Sequence, residues 1–135
     1  MAKNRETIFT NDVCKELKAM GAIVIQYSIA PHVVNGRVVS SNKSGVPDRW
    51  VSHRLFTGWL EFKIEQGRLS PLQTNMIQQM NTLVPGSAFV IRKQLKLHQI
   101  EDAQGIILGY FNNGYSLLME LYKIKQQSLL GDIWK

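Results

Sequence analysis

The segment "GVPDRWVSHRLFTGWLEFKI", residues 45–64, constrains the chain more than any other. Its last part, "GWLEFKI", is an apolar run of strand character with Glu61 and Lys63 set into it. Residues two apart in a strand share a face. Glu61 and Lys63 therefore project together, while Leu60, Phe62 and Ile64 project to the other side, into a core. "RWVSH" and "GWLEFKI" flank the turn "RLFTG" and read as two antiparallel strands. The start of the first arm then lies beside the end of the second, so Asp48, on a Gly-x-Pro-Asp turn, can converge with Glu61. The bland alternative is a Glu61–Lys63 salt bridge on a solvated sheet face. The Pro-Asp turn upstream, a spacing that fits one hairpin, and the helix opening "SPLQ" at short range weigh against it.

Two carboxylates balanced by one lysine make an acidic pocket in a chain of net charge +6. An oxygen-rich pocket suits a hard cation, Mg²⁺ or Mn²⁺. The backbone carbonyl of Phe62 is a candidate third ligand. A cation held by Asp48 and Glu61 would activate water and draw charge from a phosphate, which is what phosphodiester hydrolysis requires. Lys63 could orient that water or hold a phosphate oxygen. The positive balance favours a polyanionic partner, nucleic acid first. Lys43, Arg49, Arg54 and Arg68, in loops or strand ends around the pocket, are candidate DNA contacts, with Arg37 a further one. No motif that reads base edges is present, so recognition by shape or backbone is expected. Trp50 and Trp59 read as core. His32, His53 and His98 are widely separated and read as structural or surface residues, with His53 the one near a hairpin turn that could touch DNA.

Around this centre the spacing predicts a first helix ending at Gly21, with Phe9, Val13, Leu17 and Met20 as its buried stripe. Glu6 falls near the middle of that stripe, where a carboxylate needs a partner or a function, or reaches water from the first turn. A strand follows in "AIVIQYSI", then a turn at Asn35-Gly36 between two valine runs and a basic Ser/Asn/Lys/Gly loop. Downstream of the central hairpin, Ser70 is the expected N-cap and Pro71 the N1 residue of a second helix. Its expected apolar face is Leu72, Met76, Met80 and Leu83. Pro85-Gly86 ends it, and "SAFVIR" is a strand. The order is α-β-β-β-α-β. For the C-terminal extension, about residues 93–135, two helices are preferred: one over "LHQIEDAQGIILGYF", the other over "NNGYSLLMELYKIKQQ" with Leu117, Leu118, Leu121 and Tyr122 inward. A hairpin across Asn112-Asn113-Gly114 is the alternative.

With 135 residues, 44% hydrophobic and 19% charged, the chain is expected to form one domain over 1–135, its core at about 6–92. A single cysteine, Cys14, excludes an intramolecular disulfide and a multi-thiolate zinc site. No run approaches the roughly 18 apolar residues of a membrane span, and "MAKNRETIF" has no apolar leader, so a cytoplasmic protein with no membrane partner is expected.

Taken together, "GVPD", "WLEFK", "GRLSPLQ" and "FVIR" resemble the PD-(D/E)XK nuclease superfamily, and within it small phage-type VRR-NUC (virus-type replication-repair nuclease) proteins. The resemblance runs from Glu6 to Arg92. It implies an α/β, restriction-endonuclease-like core and a Mg²⁺- or Mn²⁺-dependent endonuclease acting on branched or junction DNA, commonly as a homodimer. It implies Asp48 and Glu61 as metal-binding acids, Lys63 as the motif lysine, and Gln73 as a glutamine ordering the site from the next helix. It also places a first-helix glutamate toward the metal, which Glu6 matches, with Glu16 its rival. The long "APHVVNGRVVSSNKSG" insert before the Pro-Asp turn departs from the pattern, and the stretch after Lys93 has no counterpart. A phage protein in a bacterial host, or a bacterial one, is the expected source. The apolar "GIILGYF" and "YSLLMELY" are equally a dimer interface or the completion of the core.

Overall fold

The computed structural model describes residues 2–27, 32–39 and 45–134. Helix α1 (Ala2–Ala19) buries Phe9, Val13 and Leu17, with Met20 packed at the margin. It ends in a paired reverse turn: Ala22 N–H donates to Leu17 O at 3.0 Å and Gly21 N–H to Lys18 O at 3.0 Å. This satisfies carbonyls that the last helical turn leaves open. The chain then enters a six-stranded sheet in the order β1 (Ile23–Gln26), β4 (Arg49–His53), β5 (Phe56–Ile64), β6 (Ala88–Lys93), β7 (His98–Glu101), β8 (Ile107–Phe111). Among the described strands β5 and β6 alone run parallel, joined by helix α2 (Pro71–Leu83). Strands β2 (His32–Val34) and β3 (Arg37–Val39) form a separate hairpin. Asn35 and Gly36 turn it with φ of 52° and 76°, the geometry that Asn-Gly favours.

Helices α1 and α3 (Gly114–Trp134) cover one face of the sheet, where Leu60, Phe62, Ile91 and Ile100 meet Leu17, Leu117, Leu118 and Leu121. Helix α2 covers part of the other, where Ile77 packs on Ala88 and Val90 with Trp59 and Met80 at the edge. With β2–β3 set aside, the order α1-β1-β4-β5-α2-β6 is the α-β-β-β-α-β read from sequence, in a mixed α/β sheet. Among the described residues no helix is long and apolar enough to cross a membrane.

Three expectations change. The extension is not all helical: "LHQIEDAQGIILGYF" is the antiparallel pair β7–β8. Its turn is set by Asp102, whose Oδ1 accepts from Gln104 N–H (2.8 Å) and Ile106 N–H (2.9 Å). The side chain thereby does locally what a helical ladder would otherwise do. Helix α3 does form over the second segment, started by Asn113, whose Oδ1 accepts from Ser116 N–H at 2.8 Å. Its Leu117, Leu118 and Leu121 are buried, but Tyr122 is 40% exposed. The apolar stripe of α2 is also displaced: Ile77 is its buried centre, while Leu72 and Leu83 are exposed. A 13-residue helix crossing a sheet at one contact zone buries its middle, not its ends.

Candidate active site

Strand β5 positions two of the three central side chains. Even-numbered Leu60 and Phe62 enter the core under α1 and α3. Glu61 and Lys63 take the opposite face, the one only partly roofed by α2. Asp48 arrives through the β4–β5 ladder: the register pairs Arg49 with Leu60, so Asp48, one residue earlier, comes level with Glu61. Tyr27 N–H donates to Asp48 O at 2.8 Å and carries the same row toward β1.

The loop before Asp48 is pressed onto the first turn of α2. Gly45 has φ 76°, and a Cβ there would lie 2.3 Å from the Leu72 carbonyl carbon and oxygen. Helix α2 begins at a reciprocal cap: Gln73 N–H donates to Ser70 Oγ (3.1 Å) and Ser70 N–H to Gln73 Oε1 (2.9 Å). Substituting Gly45→Ala meets both a left-handed backbone and a backbone wall. A destabilisation of about 3 kcal/mol is expected in urea melts, with the Pro-Asp turn moved off Glu61.

The electrostatics are those of two acids forced together. Glu61 is 4% exposed. Burial, then the charge of Asp48, pushes its carboxyl up to about 8. Lys63, with Nζ 3.9 Å from Glu61 Oε2, and the Asp48 backbone N–H act the other way. Burial raises Asp48 too; the Arg49 guanidinium, 3.5 Å from Oδ2, opposes it. Glu6 adds negative potential at both. One oxygen of each acid, Asp48 Oδ1 and Glu61 Oε1, is buried with no hydrogen-bond partner among the described residues. Buried acceptors without donors are rare and costly.

That pair is the feature a cation fits. Among the described residues no three His, Cys, Asp or Glu side chains are gathered to hold an ion by themselves. An ion here would take carbonyl and water oxygens beside the two carboxylates, as Mg²⁺ commonly does. The Phe62 ring is fully buried in the core, so only its backbone is available to the site.

The remaining sequence candidates are placed as follows. Glu6 lines a cleft of about 420 Å³ with Thr10, Gln26, Asp48 and Arg49. Glu16 lines a different cleft, with His98, Phe111 and Asn113. Gln73 sits beside the loop leading to Asp48, with its amide oxygen engaged by the helix cap. Arg49 is mostly buried and donates to Asp48 O at 3.1 Å, so its guanidinium is turned toward the acid. Arg68 is exposed on the loop entering α2. Arg54 is exposed but not near the acids: it sits on the β4–β5 turn, at the far end of β5 from Glu61, roughly 17 Å along the strand at ~3.3 Å per residue. Lys43 lies outside the described residues, and of Arg37 only the backbone is described.

Sequence reasoning passed over a second buried charge pair on the same face. Arg92 Nε donates to Glu101 Oε2 at 2.7 Å, and Glu101 is 5% exposed. The signal available was an arginine closing the apolar run "AFVIR". Its partner lies on a segment expected to be helical, which hid the pairing.

No family model and no curated protein sequence matches the chain. Among solved structures it is similar to Hjc of Archaeoglobus fulgidus, a Holliday junction resolvase from an archaeal hyperthermophile. The identity is 18%, the TM-score 0.48, and 74% of each chain is covered.

Proposed function

We propose that the chain is a divalent-cation-dependent endonuclease that hydrolyses DNA phosphodiester bonds, selecting branched or junction structures. The observation that carries this reading is the pair of buried carboxylate oxygens of Asp48 and Glu61 that have no donor among the described residues, with the Lys63 ammonium beside them. When bound, Mg²⁺ or Mn²⁺ would supply Lewis acidity and an activated water. Asp48 and Glu61 hold the ion, and the Phe62 carbonyl is the further oxygen offered by the same strand. Lys63 holds a non-bridging phosphate oxygen or orients the attacking water, with a compact charge suited to either. Glu6, on the cleft wall with Asp48, would add negative potential toward a bound ion. Arg49 keeps the Asp48 carboxylate oriented, while Arg68 and Lys43 are proposed contacts to flanking phosphates.

Selectivity by structure is supported by the absence of a base-reading motif and by a formal charge of +6. The VRR-NUC-like sequence pattern supports a small nuclease of phage or bacterial type. A homodimer would set two such sites on two strands. Exposed Ile106, Ile107, Leu108 and Tyr110 on and beside β8 are an apolar surface for it, and sedimentation at micromolar concentration tests that directly.

The deciding experiment incubates the protein with supercoiled plasmid, linear duplex, single strand and a four-way junction, each with Mg²⁺, Mn²⁺ or EDTA. Cleavage strongest on the junction and absent in EDTA is expected. Lys63→Ala should lower the rate about 10²–10³-fold with the fold intact. Cleavage that persists in EDTA, or is unchanged in Lys63→Ala, defeats the proposal. Tight junction binding without cleavage by folded protein replaces it with a binding module.

A further inference from the structure

We infer that Arg92 is a positioning residue for Lys63, acting through the turn at residues 65–67. The inference rests on the hydrolytic role proposed above for Lys63. In the parallel β5–β6 ladder Lys63 and Arg92 are direct partners, so their side chains share a face. Arg92 does not use its charge on Glu101 alone. One terminal nitrogen donates to two backbone carbonyls of the next turn, Glu65 O at 2.8 Å and Gly67 O at 2.6 Å, while Nε holds Glu101.

The turn needs holding. Glu65 is a non-glycine residue with φ 48°. Such a residue persists only where its surroundings over-determine it. Arg92 supplies that from one side; Glu65 N–H to Lys93 O (2.9 Å) and Gly67 N–H to Ile64 O (2.8 Å) complete the frame. The turn in its place forms a wall for Lys63: a Cβ added at Gly67 would lie 3.7 Å from Lys63 Cδ. The lysine stem runs along this wall, 15% exposed, with its ammonium toward Glu61. Arg5 pairs with Glu65 from outside, through two side chains that are each at least 40% exposed, so it adds little fixation.

Only a guanidinium fits the task. Its rigid fork serves a carboxylate and two carbonyls at once, whereas a lysine ammonium at the end of a flexible stem does not reproduce that geometry. Arg92→Lys therefore keeps a cation for Glu101 but releases the turn. Arg92→Met removes both functions.

The test uses full-length protein, ¹³Cε-lysine labelling and Lys63→Arg to assign the Lys63 signal. Arg92→Lys is expected to remain folded by circular dichroism, with the Lys63 signal displaced and the signals of Lys123 and Lys125 unmoved. Its single-turnover cleavage of the four-way junction should fall about 10–100-fold, as misplacing a reacting group by about 1 Å does, while Mn²⁺ and junction affinities stay within about twofold. A Lys63 signal unmoved in folded Arg92→Lys overturns the inference, even if stability falls. Should Arg92→Met unfold, Arg92→Lys still decides. Should wild-type protein cleave no substrate, the proposed activity fails while the Lys63 signal continues to test the positioning.

Discussion

Glu61→Gln and Asp48→Asn are each expected to lower divalent-dependent junction cleavage by about a thousandfold or more, and to abolish any rise in melting temperature caused by Mn²⁺. Both changes keep shape and remove charge. If Asp48 Oδ1 and Glu61 Oε1 lack donors because a cation is their partner, neutralising either acid leaves too little charge to hold it. Wild-type protein at pH 8 with Mn²⁺ at about 100 times its dissociation constant should gain about 2.7 kcal/mol, or some 8–11 °C for a chain of this size. The acid variants should gain nothing. A melting temperature indifferent to Mn²⁺ and Mg²⁺ in wild-type protein would remove the metal from the site. Equal metal shifts in wild type and both variants would move it elsewhere on the molecule.

The second large effect has the opposite sign and is seen without metal. Glu61 has a folded-state pKa of about 8 against an ordinary value of 4.5. Between these values the folded protein holds a proton that the unfolded chain has released, so stability falls as pH rises. The stability is fully present below about pH 4.5 and is lost progressively up to about pH 8. Asp48, also raised by burial, adds in the same direction. For Glu61, whose side chain is 5% exposed, the loss is on the order of 4–5 kcal/mol. Glu61→Gln removes this penalty. In EDTA at pH 8 it should therefore be more stable than wild type by urea denaturation, and near parity at pH 5. One substitution would thus destroy activity while strengthening the fold, the signature of a residue placed for chemistry at the expense of stability. A Glu61→Gln variant less stable than wild type at pH 8 in EDTA would show that the carboxylate is already satisfied by the protein.

The hairpin was legible because strand alternation has period two, and apolar residues on both sides of Glu61 and Lys63 permit a single register. The Gly-x-Pro-Asp turn, the Ser70-Pro71 helix start and the Asn35-Gly36 turn were legible because their backbone geometry depends on one or two side chains acting locally. Arg54 was open to correction from the same information: an antiparallel hairpin that brings Asp48 to Glu61 must carry its own turn to the far end. The β7–β8 pair was not legible by periodicity. Its edge strand β8 is apolar on both faces, with Ile107, Leu108 and Tyr110 exposed, so no alternation marks it. Similarly, Leu72 and Leu83 match a helical stripe, but only contact with Ala88 and Val90 selects Ile77 as the buried face.

Local units are thus written in the chain: helix ends, turns, the register of one hairpin, and the two acids and lysine that hairpin must present on one side. Which distant groups surround them follows from packing across the whole fold. Burial in the folded sheet raises Glu61, the first turn of α2 seats Gly45, and the pairing of β6 with β7 gives Arg92 its carboxylate. The physical reason is range. Backbone dihedrals and strand alternation act over a few residues and are written in neighbours. Desolvation and buried charge pairing depend on what packs above a residue, which is set by contacts far apart in the chain.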